Sequence, residues 1–126
     1  MTDSAQDFKQ RTKAFALRII KLVDKLPQSR AADVLGKQLL RSGTSVAMNY
    51  RAACRARSPA EFRSKLGIVE EEADETSGWI ELLAEAGLVK PKLVQDLLKE
   101  SNEITAMVVA SIRTSRKNSA PPTAPK

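Results

Sequence analysis

"SPAEFRSKLGIVEEEADETSGWIELLAEAG", residues 58–87, decides the fold. Ser58 can cap a helix, Pro59 suits the first helical position, and Glu61 stands three residues after the cap. That is a capping box with its proline in the favoured place. Small or apolar residues then recur at Phe62, Leu66, Val69, Ala73, Thr76, Ile80 and Leu83. Their steps alternate four and three, the period of one helix face. Gly87 is placed to end the helix, and Pro91 to begin the next.

The same period continues on both sides. Upstream, Phe8, Thr12, Phe15, Ile19, Leu22 and Leu26 form a stripe that Pro27 ends, and Leu35, Leu39, Ser42, Val46, Asn49 and Ala53 form another. Downstream run Val94, Leu97, Ser101, Ile104, Val108 and Ser111. Residues 1–115 are thus expected to form one domain of four helices, at about 5–26, 29–56, 59–86 and 91–114. Residues 116–126 are Pro/Ser/Ala-rich and are expected to be a disordered tail. Short connections force neighbouring helices antiparallel, and stripes near a 3.5 period favour left-handed packing. The expected fold is all-α, an antiparallel up-down-up-down four-helix bundle.

Composition narrows the chemistry. The 126 residues include no histidine and one cysteine, Cys54. Imidazole-based catalytic groups, the usual zinc ligands and the Glu-x-x-His signature of di-iron bundles are therefore missing. No catalytic residue, metal ligand or cofactor is expected. The acidic run of residues 70–75 could in principle serve a carboxylate-only metal site or enzyme, but charge runs are usually solvated faces. No apolar run approaches the ~20 residues that cross a bilayer, and residues 1–10 contain no signal-peptide stretch. No membrane association is expected, and the expected location is cytoplasmic.

The net charge of +6 is segmented: +3 over residues 1–26, +5 over 27–57, −5 over 58–90 and +3 over the remainder. On the second helix Lys37, Arg41, Thr44, Met48, Arg51 and Arg55 share one face, with Arg57 just beyond. Lys37, Arg41, Arg51, Arg55 and Arg57 are the candidate nucleic-acid contacts. The competing reading pairs these arginines with acids of the third helix. Glu75 is flanked by Ile68 and Leu82, so it is expected to be paired with an arginine of the second helix. Gly36 and Gly43 lie one heptad apart and let another helix come close. Ser42 and Asn49 fall on the core stripe, where a buried polar residue can fix register. Leu17 and Ile20, and likewise Ile68 and Leu82, are apolar outside the stripes, which makes them candidate subunit contacts in a homo-oligomer.

"RTKAFALRIIKLVDKLP" and "QLLRSGTSVAMNYRAACRARSPAEFRSKLGIVEEEADETSGWIELL" resemble the four-helix-bundle proteins encoded in 23S ribosomal RNA intervening sequences. The likeness is most specific in "QLLRSGTSVAMNYR" and "EEADETSGWIELL"; the chain departs from the family at Ala53 and Glu71, where Glu and Lys are usual. The resemblance implies a cytosolic bundle that assembles into a ring, typically a homopentamer, and brings no catalytic residues. It also implies kinship with the accessory variability proteins of diversity-generating retroelements, which bind nucleic acid and a reverse transcriptase. The expected partners are further copies of the chain, RNA or DNA, and a reverse transcriptase or other nucleic-acid enzyme. The leading expectation is a non-enzymatic adaptor for RNA or a nucleic-acid-processing partner. The alternative is an oligomeric scaffold with no nucleic-acid affinity.

Overall fold

A computed structural model of the chain describes residues 3–119 as four helices: α1 (Asp3–Asp24), α2 (Arg30–Cys54), α3 (Pro59–Glu85) and α4 (Pro91–Ser119). Local chemistry sets their ends. Ser29 Oγ accepts the Ala32 N–H at 3.1 Å and caps α2; Ser58 Oγ accepts the Glu61 N–H at 3.0 Å and caps α3. Glu61 reaches back to the Arg57 N–H at 2.9 Å, one residue before the usual partner in a capping box. Gly87, at φ 75°, closes α3: the Leu88 N–H donates to the Leu83 carbonyl (2.9 Å) and the Gly87 N–H to Ala84 (3.1 Å). That pair of bonds is a Schellman motif, and its left-handed residue favours glycine.

The helices pack in chain order, α1 on α2, α2 on α3 and α3 on α4, with a much smaller contact between α1 and α4. Phe15, Ile19, Leu39, Val46, Leu66, Ile80, Leu83 and Ile104 are fully enclosed between them. Polar residues enter this core in pairs. The Ser42 and Thr76 hydroxyls lie 2.9 Å apart, and Thr76 is also 2.7 Å from the Glu72 carbonyl. Ser77 donates to Ser101 at 2.8 Å, and Ser101 donates to the Ala73 carbonyl at 2.9 Å. Among the described residues no buried side-chain polar atom lacks a partner. The α1–α4 seam is held by Arg11, whose guanidinium donates to Glu100 (2.6 and 2.8 Å) and Glu103 (2.7 Å).

Three expectations need correction. Asn49 is half-buried instead of lying in the core, and Tyr50 takes the core position. A real helix turns every 3.6 residues, so it drifts from a 3.5-residue stripe by about 20° per heptad. After two heptads the larger apolar neighbour faces inward, where the Tyr50 ring meets the edge of Phe8 at 4.6 Å. Asn49 Nδ2 bonds within its own helix, to the Ser45 carbonyl (3.0 Å) and Ser45 Oγ (2.8 Å), so it fixes no inter-helix register. The same drift puts Ile112 in the core and leaves Ser111 exposed.

The third correction concerns the end of α4, which runs to Ser119, so residues 116–119 are helix instead of tail. Arg116 and Lys117 lie in the last turn, where cations complement the carbonyl end of the helix. Arg63 of α3 supports that turn, Nη1 donating to Ser119 Oγ (3.0 Å), Ser115 Oγ (3.2 Å) and the Ser115 carbonyl (3.3 Å). The rest of the expected tail, residues 120–126, lies outside the described residues.

The two helical glycines of α2 differ in what surrounds them. A Cβ on Gly43 would stand 2.8 Å from both Cγ atoms of Ile19 and 3.1 Å from its Cβ, so α1 and α2 meet here almost backbone to backbone. On Gly36 it would meet Leu26 Cδ1 at 3.1 Å, the movable end of a side chain. Gly43→Ala is therefore expected to cost about 1–3 kcal/mol through overpacking. Gly36→Ala is expected to be neutral or stabilising by up to ~1 kcal/mol, from helix propensity. Urea denaturation midpoints of the two variants check this; equal shifts would show that α1 does not approach α2 at Gly43.

Candidate nucleic-acid interface

The basic face of α2 is divided by an ion pair. Arg41, midway along it, is held by two acids of α3: Nη1 lies 3.1 Å from Glu72 Oε2, and Nη2 donates to Glu75 Oε1. Glu75 Oε1 also accepts the Trp79 Nε1–H at 3.0 Å. These two donors, Arg41 first, hold the Glu75 carboxyl below the usual carboxylate range. Pairing Glu75 with an arginine of the second helix is one of the two alternatives the sequence left open, and Arg41 takes it. Its charge is largely neutralised where it stands.

The other four candidates, Lys37, Arg51, Arg55 and Arg57, are exposed. Among the described residues none of them has an ion-pair partner. Arg55 and Arg57 stand where α2 ends and α3 begins, at one end of the bundle. The last turns of α4 reach the same end and carry Arg113, Arg116 and Lys117, all exposed, on faces of the helix other than the one formed by Ser111, Thr114, Ser115 and Asn118. Exposed cations from two segments of the chain thus share one end of the bundle, and among them Arg57 lines an opening between α2, α3 and α4. Arg113 falls within the expected fourth helix, whereas Arg116 and Lys117 fall in the expected tail and in the structure close α4. A cluster of basic residues at a helix C-terminus was the available signal.

The opening is a cleft of about 880 Å³. Tyr50, Ala53 and Cys54 of α2 and Phe62 of α3 line it on one side, and Ser111, Thr114, Ser115 and Asn118 of α4 on the other. Arg57 is the charged residue in its lining. Burial and the neighbouring Cys54 push the Tyr50 phenol up from its ordinary value, so the ring stays neutral at physiological pH.

The candidate subunit contacts fall into two separate groups. Leu17 and Ile20 on α1 are exposed (51% and 38%), and so is Leu82 on α3 (48%), whereas Ile68 on α3 is half-buried. Because α1 and α3 are not neighbours in the bundle, the two groups do not join into one patch. Among the described residues no cluster of three acidic or cysteine side chains could hold a metal ion, and no helix is long and apolar enough to cross a membrane.

Residues 5–110 match the family model described as 23S rRNA-intervening sequence protein. The chain belongs to that family. A similar solved structure is that of a protein of unknown function from the S23 ribosomal protein family of Bacteroides thetaiotaomicron. It is 35% identical, covers 86% of this chain and 97% of its own, and superposes with a TM-score of 0.81. Among the curated proteins none matches. The family match ends at residue 110, before Arg113, Arg116 and Lys117, so the α4 half of the basic end lies beyond the matched segment.

The paired acids make a pH prediction. Glu100, held by Arg11, and Glu75, held by Arg41, both have folded-state pKa values below those of a free carboxylate. A depressed pKa adds stability that is complete above the unfolded value, about 4.3 for Glu. That stability is lost as pH falls through the folded value. Thermal unfolding followed by circular dichroism should therefore show a melting temperature that falls as pH drops below about 5. Arg11→Met should lower stability near neutral pH by about 1 kcal/mol or less, as expected of a partly exposed pair, and should flatten the acid limb. An unchanged limb would mean that Glu100 is not held by Arg11.

Proposed function

We propose that this protein is a non-enzymatic adaptor that binds RNA or DNA through its backbone phosphates at the basic end of an up-down-up-down bundle. The observation that carries the reading is a set of exposed cations without ion-pair partners at one end of the bundle, Arg55 and Arg57 after α2 and Arg113, Arg116 and Lys117 in the last turns of α4. Cations that hold their own helices together are paired, as Arg11 and Arg41 are. Cations left unpaired at one end repel each other unless a polyanion neutralises them. With one Trp and one Tyr in the chain, an extended stacking platform is not available, so contact is chiefly electrostatic and nearly blind to sequence.

In this reading the chain works as a ring-like homo-oligomer in the cytoplasm, with five copies favoured by the family resemblance. Two separate apolar groups, Leu17 with Ile20 on α1 and Leu82 with Ile68 on α3, suit a head-to-tail contact, the kind of interface that closes rings. A ring multiplies weak phosphate contacts through effective concentration. It would also offer a docking body for a reverse transcriptase or another nucleic-acid enzyme. The second reading, a scaffold without nucleic-acid affinity, is favoured by Arg41, whose charge serves the α2–α3 contact.

Replacing Arg51, Arg55 and Arg57 together with alanine tests the proposal. Binding of a fluorescent RNA is measured across a salt series, and oligomeric state by sedimentation. RNA affinity is expected to fall and the logarithmic salt slope to shrink by roughly two to three, about one per lost phosphate contact. The oligomer should persist, because these side chains lie outside both apolar groups. Wild-type affinity in the triple variant would place any binding site elsewhere.

A further inference from the structure

We propose that the cleft at the basic end of the bundle is a binding site for a nucleoside phosphate, base and sugar in the cleft and phosphate at Arg57. The inference deepens the nucleic-acid reading. It rests on that reading where the ligand is the end of a strand, and stands apart from it where the ligand is a free nucleotide.

The lining determines the class of ligand. Among the described residues no carboxylate lines the cleft, and its one charged side chain is Arg57. Arg55, two residues before it, is exposed at the same end of the bundle. Amines and metal cations are therefore disfavoured, and an anion is favoured. The volume, about 880 Å³, lies within the range of small-ligand sites, roughly 300–1,000 Å³.

The walls narrow the choice further. Half-buried Phe62 offers aromatic surface, with the edge of the buried Tyr50 ring behind it, packed edge-to-face on Phe8. A base has a π-face suited to such surface, whatever its identity. Opposite stand Ser111, Thr114, Ser115 and Asn118, three hydroxyls and one amide from successive turns of α4. Hydroxyls and amides both donate and accept, which matches base edges and ribose hydroxyls. A fatty acid or other apolar anion would leave the Ser111 and Thr114 hydroxyls and the Asn118 amide without partners, at a cost in affinity. The neutral Tyr50 phenol adds no negative charge to repel the phosphate.

The test fills the cleft from its exposed wall. Thr114→Trp and Ser111→Trp each place a large side chain at an exposed position of α4 that lines the cleft, outside the core. Asn118→Ala removes a wall amide with no added bulk. Calorimetry with adenosine 5′-monophosphate, uridine 5′-monophosphate and inorganic phosphate is combined with binding of one RNA sequence in linear 5′-phosphorylated and circular forms. Both nucleotides should bind the wild-type chain at least tenfold more tightly than inorganic phosphate. Each tryptophan variant should lose tenfold or more of nucleotide affinity, with the melting temperature preserved, and Asn118→Ala should lose a smaller factor. Linear RNA should weaken with the nucleotides, while circular RNA, held only by exposed cations outside the cleft, should not. The inference is overturned if nucleotides bind no better than phosphate, or if all three variants bind them as the wild type does. Should circular RNA bind in a salt-sensitive way with no preference for nucleotides or strand ends, the inference falls and the adaptor reading stands. Should nucleotides bind the cleft while neither RNA binds, the reverse holds.

Discussion

Two hydroxyl bridges set the register of three helices. Ser42 of α2 meets Thr76 of α3, and Ser101 of α4 meets Ser77, the next residue along. All four residues are buried, so each hydroxyl must find a partner or carry an unmet desolvation cost of about 1–3 kcal/mol. Sliding α2 or α4 along α3 by one turn, about 5.4 Å, would break a bridge and strand its groups. Because both neighbours lock onto adjacent residues of α3, the middle of the bundle acts as one clamp. The outer contacts inherit that register. Arg41 stands opposite Glu72 and Glu75 because Ser42, beside it, is tied to Thr76. Arg63 reaches Ser115 and Ser119 because Ser77 is tied to Ser101.

The first helix is attached by different means. Its contact with α2 depends on shape, since Gly43 has no Cβ to hold Ile19 away. Its contact with α4 depends on charge, through Arg11 and two glutamates. Packing of the first kind is dry and insensitive to salt, whereas partly exposed ion pairs weaken with salt and acid. The α1–α4 seam is thus the side of the bundle most responsive to solution conditions. The cleft lined by Arg57 opens at the end where α1 begins and α4 finishes.

Charge separates into structural and available parts. Arg11 and Arg41 face carboxylates on neighbouring helices and help to hold the bundle. Arg55, Arg57, Arg113, Arg116 and Lys117 have no carboxylate within pairing distance among the described residues. Net charge alone does not make this distinction. It follows from where α3 carries its acids: the run of residues 70–75 lies near mid-helix, beside Arg41 and away from the ends of α2 and α4.

Much of this was legible in the amino acids. Four apolar stripes of helical period, a capping box at Ser58 and a left-handed stop at Gly87 are local signals, written in neighbouring residues and read without knowing what packs where. The buried Ser42 and the pairing of Glu75 with an arginine of α2 were also within reach, because burial and charge restrict the possible partners. Tertiary structure alone decided the rest. Whether Asn49 or Tyr50 faces the core depends on a drift of some 20° per heptad, too small to read from a stripe yet enough to exchange neighbours after two heptads. Whether α4 continues past residue 115 depends on Arg63, more than fifty positions away, reaching Ser115 and Ser119. The cleft beside Arg57 exists only because the end of α2, the start of α3 and the end of α4 meet in space. No local pattern encodes that meeting, since it arises from helix lengths and register acting together across the whole bundle.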